Sequence, residues 1–282
     1  MELMAMITKG LAGKRVSRLA IEMLTNAMEA VKLGIAYVLY YAKLSENSHV
    51  HMQDGNDKLG KGIHNVSLLP GDEPLTKKDG TVLTNIKGTC GTDYGAEESA
   101  CEGCKGDCYA VNSGVYHYNS CIPAWAENTL LAVYRPKQYW AEVIGYAIKV
   151  SAKANFVAVR LHVSGEIPNW DYFVRMCETV SKYPKIKFYI YTKRFSFVER
   201  WLKENGKLPD NLAVLVSIWH KNYANPYGLA EFIYDDGTEP ELEKVFHCPA
   251  VSKDGKETGI KCNQCKRCPN AKPGMKTAVY AH

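Results

Sequence analysis

Apolar and polar positions alternate in two different periods along the second half of the chain. Short apolar runs at residues 155–166 (NFVAVRLHVSGE), 186–194 (IKFYIYTKR) and 211–220 (NLAVLVSIWH) are typical of strands. Residues 171–184 and 196–209, which lie between these runs, carry the periodicity of amphipathic helices. The order β-α-β-α-β with short connections predicts an α/β fold in which a parallel sheet has right-handed crossovers.

The first half of the chain has a different pattern. Apolar residues recur at helical spacing over residues 14–44, so we predict a helical N-terminal section at residues 1–50, followed by an α/β domain at residues 51–282. Residues 123–153 are predicted to form two helices separated at Pro136, and residues 72–100 an irregular loop or a short hairpin. No apolar run reaches the roughly 18–20 residues that span a bilayer, so no membrane partner is expected.

Functional side chains of such folds lie where parallel strands end. The predicted ends are residues 162–166, 191–194 and 217–220. Arg160 and His162 share one face of the first strand, opposite its valines. This polar face predicts contact with a cofactor in a polar interior cavity, or alternatively the solvated face of an edge strand.

Glu166 and Lys193 fall at two neighbouring strand ends. The carboxylate and the ammonium are candidates for a pair across these ends. Both a structural salt bridge and an acid–base pair fit this placement, so Glu166 and Lys193 join Arg160 and His162 as candidate catalytic residues.

Eight of the ten cysteines fall in two groups of four, and four thiolates are what a [4Fe–4S] cluster requires. The C-terminal group has C-x2-C-x2-C spacing, is followed by Pro269 and has one remote member, all within a cysteine loop at residues 248–270. Zinc sites more often use two separated C-x2-C pairs, so this spacing favours an iron–sulfur cluster, with zinc as the alternative metal. The predicted ligands of this site are Cys248, Cys262, Cys265 and Cys268.

The first group has C-x2-C-x3-C spacing at Cys101, Cys104 and Cys108. Cys90 upstream completes a set of four, and Cys121 is a reserve ligand. An iron–sulfur cluster is again favoured over zinc or free thiols. Radical S-adenosylmethionine enzymes space their cysteines in the opposite order and leave one iron without a thiolate. Because this group offers four thiols, S-adenosylmethionine is not an expected cofactor.

Composition adds little about partners. The first thirty residues interleave basic and apolar residues, unlike a secretory signal peptide, and close C-x2-C spacing then favours metal over disulfides. A reducing compartment, the cytoplasm, is therefore expected. The net charge of +5 is weak support for a nucleic-acid partner. The absence of a G-x-S-x-G motif and of a P-loop argues against hydrolase chemistry.

Several motifs together resemble a known family. They are NDKLGKGIHNVSLLPG, CYA after Cys104, VRLHVSGE at 159–166, FYIYTKR at 188–194, and CPA followed by a close cysteine run. In this order they resemble the phage "gene product 88" proteins over most of residues 55–268. The resemblance implies phage or prophage origin, hence the host cytoplasm, and a cysteine-ligated site without a settled activity. The layout is also similar to the partial barrels of radical S-adenosylmethionine enzymes.

These observations combine into one expectation and one rival. We expect an α/β protein with a partial parallel (βα) barrel-like sheet, a helical N-terminal section and cysteine-rich cluster-binding loops. Two iron–sulfur clusters of the [4Fe–4S] type would serve redox or radical-type chemistry on an unknown small molecule or macromolecule, with an unidentified redox partner. The rival is a non-catalytic module in which iron–sulfur clusters or zinc only stabilise loops that bind nucleic acid or protein.

Overall fold

The computed structural model describes residues 44–101, 104, 108–116, 118–219 and 225–280. The helical section predicted at residues 14–44 lies outside these residues except for its last position. The described residues belong almost wholly to one compact unit, Asn47–His282. None of the described helices is both long enough and apolar enough to cross a membrane.

A single sheet of eight strands organises the described residues, in the order β1-β2-β5-β6-β7-β8-β10-β9. Strand β1 is antiparallel to β2, and every other neighbouring pair is parallel. A separate two-stranded hairpin is formed by β3 and β4. The strands are β1 (Met52–Asp54), β2 (Ile63–Val66), β3 (Pro74–Thr76), β4 (Val82–Lys87), β5 (Ala158–Leu161), β6 (Phe188–Thr192), β7 (Leu212–Ile218), β8 (Ala230–Asp235), β9 (Phe246–His247) and β10 (Lys276–Tyr280).

The helices account for most of the remaining regular structure. Pro136 separates the first two, as predicted, because proline suits the first turn of a helix and interrupts the one before it. They are α1 (Ile122–Tyr134), α2 (Pro136–Ser151), α3 (Trp170–Ser181), α4 (Phe195–Asn205) and the four-residue α5 (Cys262–Cys265). Short 3-10 segments lie at Asn119–Cys121, Pro240–Lys244 and Cys268–Asn270, and a π-helix at Ala110–Val115.

The predicted β-α-β-α-β order is confirmed by β5-α3-β6-α4-β7. Side chains on both faces of β6 are buried, including Phe188, Tyr189 and Ile190, as expected for a parallel strand covered by helices. Asn169 caps α3 by accepting a hydrogen bond from the Tyr172 N–H at 2.8 Å. Gly206, with φ of 78°, ends α4 in a conformation that favours glycine.

The sheet is larger than the sequence pattern indicated. Strands β2, β8 and β10 were not predicted, and β2 escapes recognition because two of its four residues are polar. His64 and Asn65 are nevertheless buried, with the His64 Nδ1 3.0 Å from the Tyr146 hydroxyl. Among the described strands the order is linear, with β1 and β9 at the edges. The mostly parallel α/β sheet is thus confirmed, whereas no closure into a barrel is seen among them.

The loop after β4 is tied to the sheet by one buried arginine, Arg194, which is 3% exposed and immediately precedes α4. Its Nη2 donates to the carbonyls of Thr89, Cys90 and Gly91 at 3.1, 3.1 and 2.7 Å. Its Nε donates to the Ile167 carbonyl at 3.1 Å, and its Nη1 to that of Glu98. One guanidinium therefore provides hydrogen-bond donors for five backbone carbonyls in irregular segments.

Replacing this guanidinium should destabilise the fold strongly. Lysine at position 194 keeps the charge but cannot reach five carbonyls, and each buried group left unsatisfied costs about 1–3 kcal/mol. We therefore expect Arg194→Lys to lower the free energy of unfolding by about 3 kcal/mol or more, measured by urea denaturation. The matched control is Arg200→Lys, at an exposed ion pair with Glu204, where about 0–1 kcal/mol is expected. Equal effects would contradict the structural role of Arg194.

Candidate functional site

A cavity of about 500 Å³ lies at the carboxyl ends of the parallel strands and is lined by both cysteine groups. Residues that follow β5, β6 and β7 form part of its wall, as expected for a site in this class of fold. Seven of the eight predicted ligands line it, namely Cys90, Cys104, Cys108, Cys248, Cys262, Cys265 and Cys268. The eighth, Cys101, does not line the cavity, but its thiol is hydrogen-bonded to that of Cys90.

The first cysteine group is held by backbone hydrogen bonds of the loop after β4. The Cys90 N–H donates to the Gly71 carbonyl at 3.0 Å, and the Cys90 carbonyl accepts from the Ala100 N–H at 2.7 Å. The thiols of Cys90 and Cys101 form one hydrogen-bonded pair, and those of Cys104 and Cys108 another. The two pairs lie within electrostatic range of each other, so four thiols share one region.

Cys108 is the thiol of this group that ionises most readily. A hydrogen bond from Cys104 lowers the pKa of Cys108 to about 6, helped by the N–H groups of Val111 and Ala110 and by the Lys193 charge. Burial opposes this shift but does not cancel it. The N–H groups belong to the π-helix that begins at Ala110, a feature often found at functional sites. The arrangement provides a thiolate, which is the form that binds metals.

The second cysteine group joins two distant segments. Cys248 follows β9, where its N–H donates to the Ala278 carbonyl at 2.7 Å. Cys262 and Cys265 are the ends of helix α5, and Cys268 begins the next 3-10 turn. Lys266, which lies between Cys265 and Cys268, adopts the left-handed conformation with φ of 55°. This conformation turns the chain sharply. Cys248 and Cys262 are electrostatic neighbours of each other and of both Cys265 and Cys268, so the four thiols lie in one region.

Burial dominates the chemistry of this second group. It raises the pKa values of Cys248 and Cys262, and raises that of Cys268 to about 12 despite a hydrogen bond with Tyr191. Buried thiols of this kind ionise only when a cation or metal compensates the charge. The site therefore has the donor atoms for a metal centre and an environment that disfavours bare thiolates.

The described cysteines form no compact set of three sulfurs, since no three of them all lie within 4.8 Å of one another. In the first group the close contacts are pairwise, between Cys90 and Cys101 and between Cys104 and Cys108.

Arg160 lies beside the second cysteine group. Its guanidinium is 4.7 Å from the centre of the Tyr191 ring, and its electrostatic neighbours include Cys262 and Cys268. Burial opposes its charge, but these neighbours outweigh it and raise the pKa of Arg160. The side chain lines the cavity, and its Nε has no hydrogen-bond partner. Arg160 thus lines the cavity, and the cysteines beside it belong to the second group.

His162 is the most strained residue of the cavity wall. It follows β5 with φ of 55°, a conformation rarely adopted by residues other than glycine, asparagine or aspartate. Its Nε2 lies 2.8 Å from the Tyr172 hydroxyl, while its Nδ1 is buried without a partner. Burial lowers the pKa of His162 to about 3, so the imidazole is neutral. The Ser164 hydroxyl lines the same cavity and is likewise buried without a partner.

Glu166 contacts Lys193 through the backbone N–H of Lys193. Glu166 accepts hydrogen bonds from the Lys193 N–H, the Thr192 hydroxyl and the Ile167 N–H, each at 2.7 Å. The ammonium of Lys193 lies 5.0 Å from the centre of the Trp219 ring. Glu166 therefore fixes two strand ends, and Lys193 presents its charge to the cavity beside Cys104 and Cys108.

The remaining cysteines lie apart from both groups. Cys121 ends a 3-10 turn, and burial alone raises its pKa, without another cysteine nearby. The structure thus brings Cys90, rather than Cys121, to the first group. Cys177 is 1% exposed within α3, where it packs as a small apolar residue. Residue 220, the predicted end of the third strand, lies outside the described residues.

Several cavity residues were not singled out from the sequence, although two of them lie within motifs named above, Lys58 in NDKLGKGIHNVSLLPG and Arg267 in the C-terminal cysteine run. Lys58, which precedes β2, lies near Cys248 and Cys262. Arg267 lies 4.1 Å from the centre of the Phe246 ring and donates to the Thr277 hydroxyl at 3.0 Å. Its position between Cys265 and Cys268 was the one available signal.

Comparison with known proteins identifies the family. No curated protein and no solved structure matches the chain. A family model described as Gene product 88 matches residues 50–271, which include β1 to β9, both cysteine groups and every residue of the cavity wall except Val279. Since the match covers most of the chain, this protein belongs to the Gene product 88 family of phage proteins.

Proposed function

We propose that this protein holds two iron–sulfur clusters of the [4Fe–4S] type and performs redox or radical-type chemistry on a small molecule bound in the cavity. The observation that carries the proposal is the convergence of seven cysteines from two distant segments on one cavity at the ends of parallel strands. A structural role alone would not require both groups to face a shared space.

The thiols fit such clusters in number. Each group supplies four sulfur donors, enough for every iron of a cubane. The C-x2-C-x2-C spacing of the second group also favours a cluster over a single zinc ion. When bound, such clusters supply or relay single electrons. Because no iron would lack a thiolate, S-adenosylmethionine has no open coordination position, and we do not propose it as a cofactor.

The protein side chains would have separate tasks. Arg160 places a guanidinium beside Cys262 and Cys268, where it would offset the negative charge of thiolates and sulfides. His162 and Ser164 present unpartnered polar atoms to the cavity, and buried polar groups normally find a partner. We assign that partner to the substrate. The strained backbone at His162 is consistent with such a role.

The proposal includes the shape and setting of the protein. The open sheet would correspond to a partial barrel with the clusters beside its carboxyl edge. The phage family makes the host cytoplasm the proposed location, and an electron donor of the host or phage the proposed redox partner.

One observation favours a second function. Residues 248–275 contain only one short helix and one 3-10 turn, so metal at the second cysteine group would provide much of their folding free energy. A non-catalytic module, with clusters or zinc, would use such loops to bind nucleic acid or protein. It would need no ligand in the cavity and no redox activity.

Metal and sulfide analysis separates these alternatives. Anaerobically purified protein should be brown and contain about eight iron and about eight acid-labile sulfide per chain. A colourless protein with stoichiometric zinc and no sulfide would contradict the clusters and favour the binding module.

The ligand assignment of the first group is tested by a pair of cysteine variants. Cys90→Ser should lose about four iron per chain, because Cys90 lies with Cys101 and faces the cavity. Cys121→Ser, the matched control, should keep about eight. Loss of iron in Cys121→Ser with retention in Cys90→Ser would reverse the assignment.

The role of Arg160 is tested by a redox titration. Arg160→Leu should keep its iron but shift the midpoint potential of one cluster to lower values, because N–H donors and positive charge near a cluster stabilise its reduced form. The exposed Arg175→Leu serves as the control for the loss of one positive charge. Identical potentials in the wild type and both variants would remove Arg160 from the cluster environment.

A further inference from the structure

A second set of metal-ligand side chains lies away from the cavity. His49 and His51 precede β1, and Glu127 lies on α1. Their donor atoms all lie within 4.8 Å of one another, the only such set of three or more among the described residues. None of the three lines the cavity, so this set is separate from the cysteine site.

The three side chains converge on one point. The two histidines are two residues apart in the segment that leads into β1. Their ring centres are 4.4 Å apart, and the His51 Nε2 lies 2.6 Å from the Glu127 Oε2. The His49 Nδ1 lies 3.2 Å from the Asn47 carbonyl. A hydrogen at Nδ1 bonded to that carbonyl leaves Nε2 of His49 available as a ligand.

Two helices hold the segment that carries the histidines. The His51 N–H donates to the Asn128 Oδ1 at 2.8 Å, and the Asn128 Nδ2 donates back to the His51 carbonyl at 3.0 Å. The Val50 N–H donates to the Glu142 Oε2 at 2.6 Å. Because Asn128 is fully buried and follows Glu127 on α1, the backbone of His51 is fixed to the helix that supplies the third ligand.

The donor atoms of the set are accessible from solvent. The side chains of His51 and Glu127 are 35% and 28% exposed, so water or another ligand has access to the same point. An anionic oxygen and two imidazoles with open positions are the donor set of many divalent metal sites.

We propose that His49, His51 and Glu127 form a separate binding site for a divalent first-row transition ion such as Zn²⁺. The ion would take the place of the hydrogen between the His51 Nε2 and the Glu127 Oε2. These atoms would then separate from 2.6 Å to about 3.4 Å, the spacing of ligands at about 2.1 Å from a tetrahedral metal. Rotation of the Glu127 side chain accommodates this change while the backbone stays in place.

Metal titration of four proteins tests the site: wild type, His49→Ala, Glu127→Gln and the control Glu178→Gln, whose carboxyl is exposed on α3. Each is purified anaerobically, treated with EDTA and titrated with Zn²⁺ by calorimetry. Wild type and Glu178→Gln should bind one more equivalent than the other two, or bind it at least tenfold more tightly. Unchanged melting temperatures without added metal would show that the variants are folded.

A Co²⁺ titration followed by absorption identifies the ligands. The equivalent that depends on His49 and Glu127 should lack the charge-transfer band of cobalt thiolates, because its donors are nitrogen and oxygen. Equal Zn²⁺ binding by all four proteins, or a thiolate band on the variable equivalent, would overturn the proposal. Metal held by cysteines would be the same in all four proteins, so failure of the iron–sulfur proposal is separately visible.

Discussion

The guanidinium of Arg194 is the interaction on which the cavity depends. By donating to five backbone carbonyls, it joins the loop that carries Cys90 to the segment that follows β5. Glu166 joins the segment that follows β5 to the segment that follows β6, because its carboxyl group accepts hydrogen bonds from the N–H groups of Ile167 and Lys193. These two buried charges hold irregular backbone at the strand ends, where regular hydrogen bonding has stopped.

Because several thiols are buried close together, their ionised forms need compensating positive charge. Desolvation raises the pKa values of Cys248, Cys262 and Cys268, so three thiolates there would be costly without compensating charge. Arg160 and Lys58 supply part of that charge. A bound metal centre would supply the rest, which supports the proposal that these cysteines hold metal.

The sequence predicted the part of the fold that has strong periodicity. The strands and helices from β5 to β7 were predicted because apolar runs and amphipathic stretches alternate without interruption. Strand β2 was not predicted because two of its residues, His64 and Asn65, are polar, and polar residues suggest a loop. Both side chains are nevertheless buried. The cysteines were recognisable by spacing, but the sequence left Cys90 and Cys121 as alternatives and did not show which cysteines lie beside Arg160. Both questions depend on long-range loop packing, which has no local pattern.

The central claim is that the two cysteine groups hold two clusters on one cavity. Its most direct test is electron paramagnetic resonance of the dithionite-reduced protein, compared with variants that each lack one cluster, Cys90→Ser and Cys265→Ser. Two reduced clusters that face the same cavity should couple magnetically, so the wild-type spectrum should differ from the sum of the two variant spectra. A wild-type spectrum equal to that sum would contradict the shared cavity, and the absence of any cluster signal would contradict the clusters themselves.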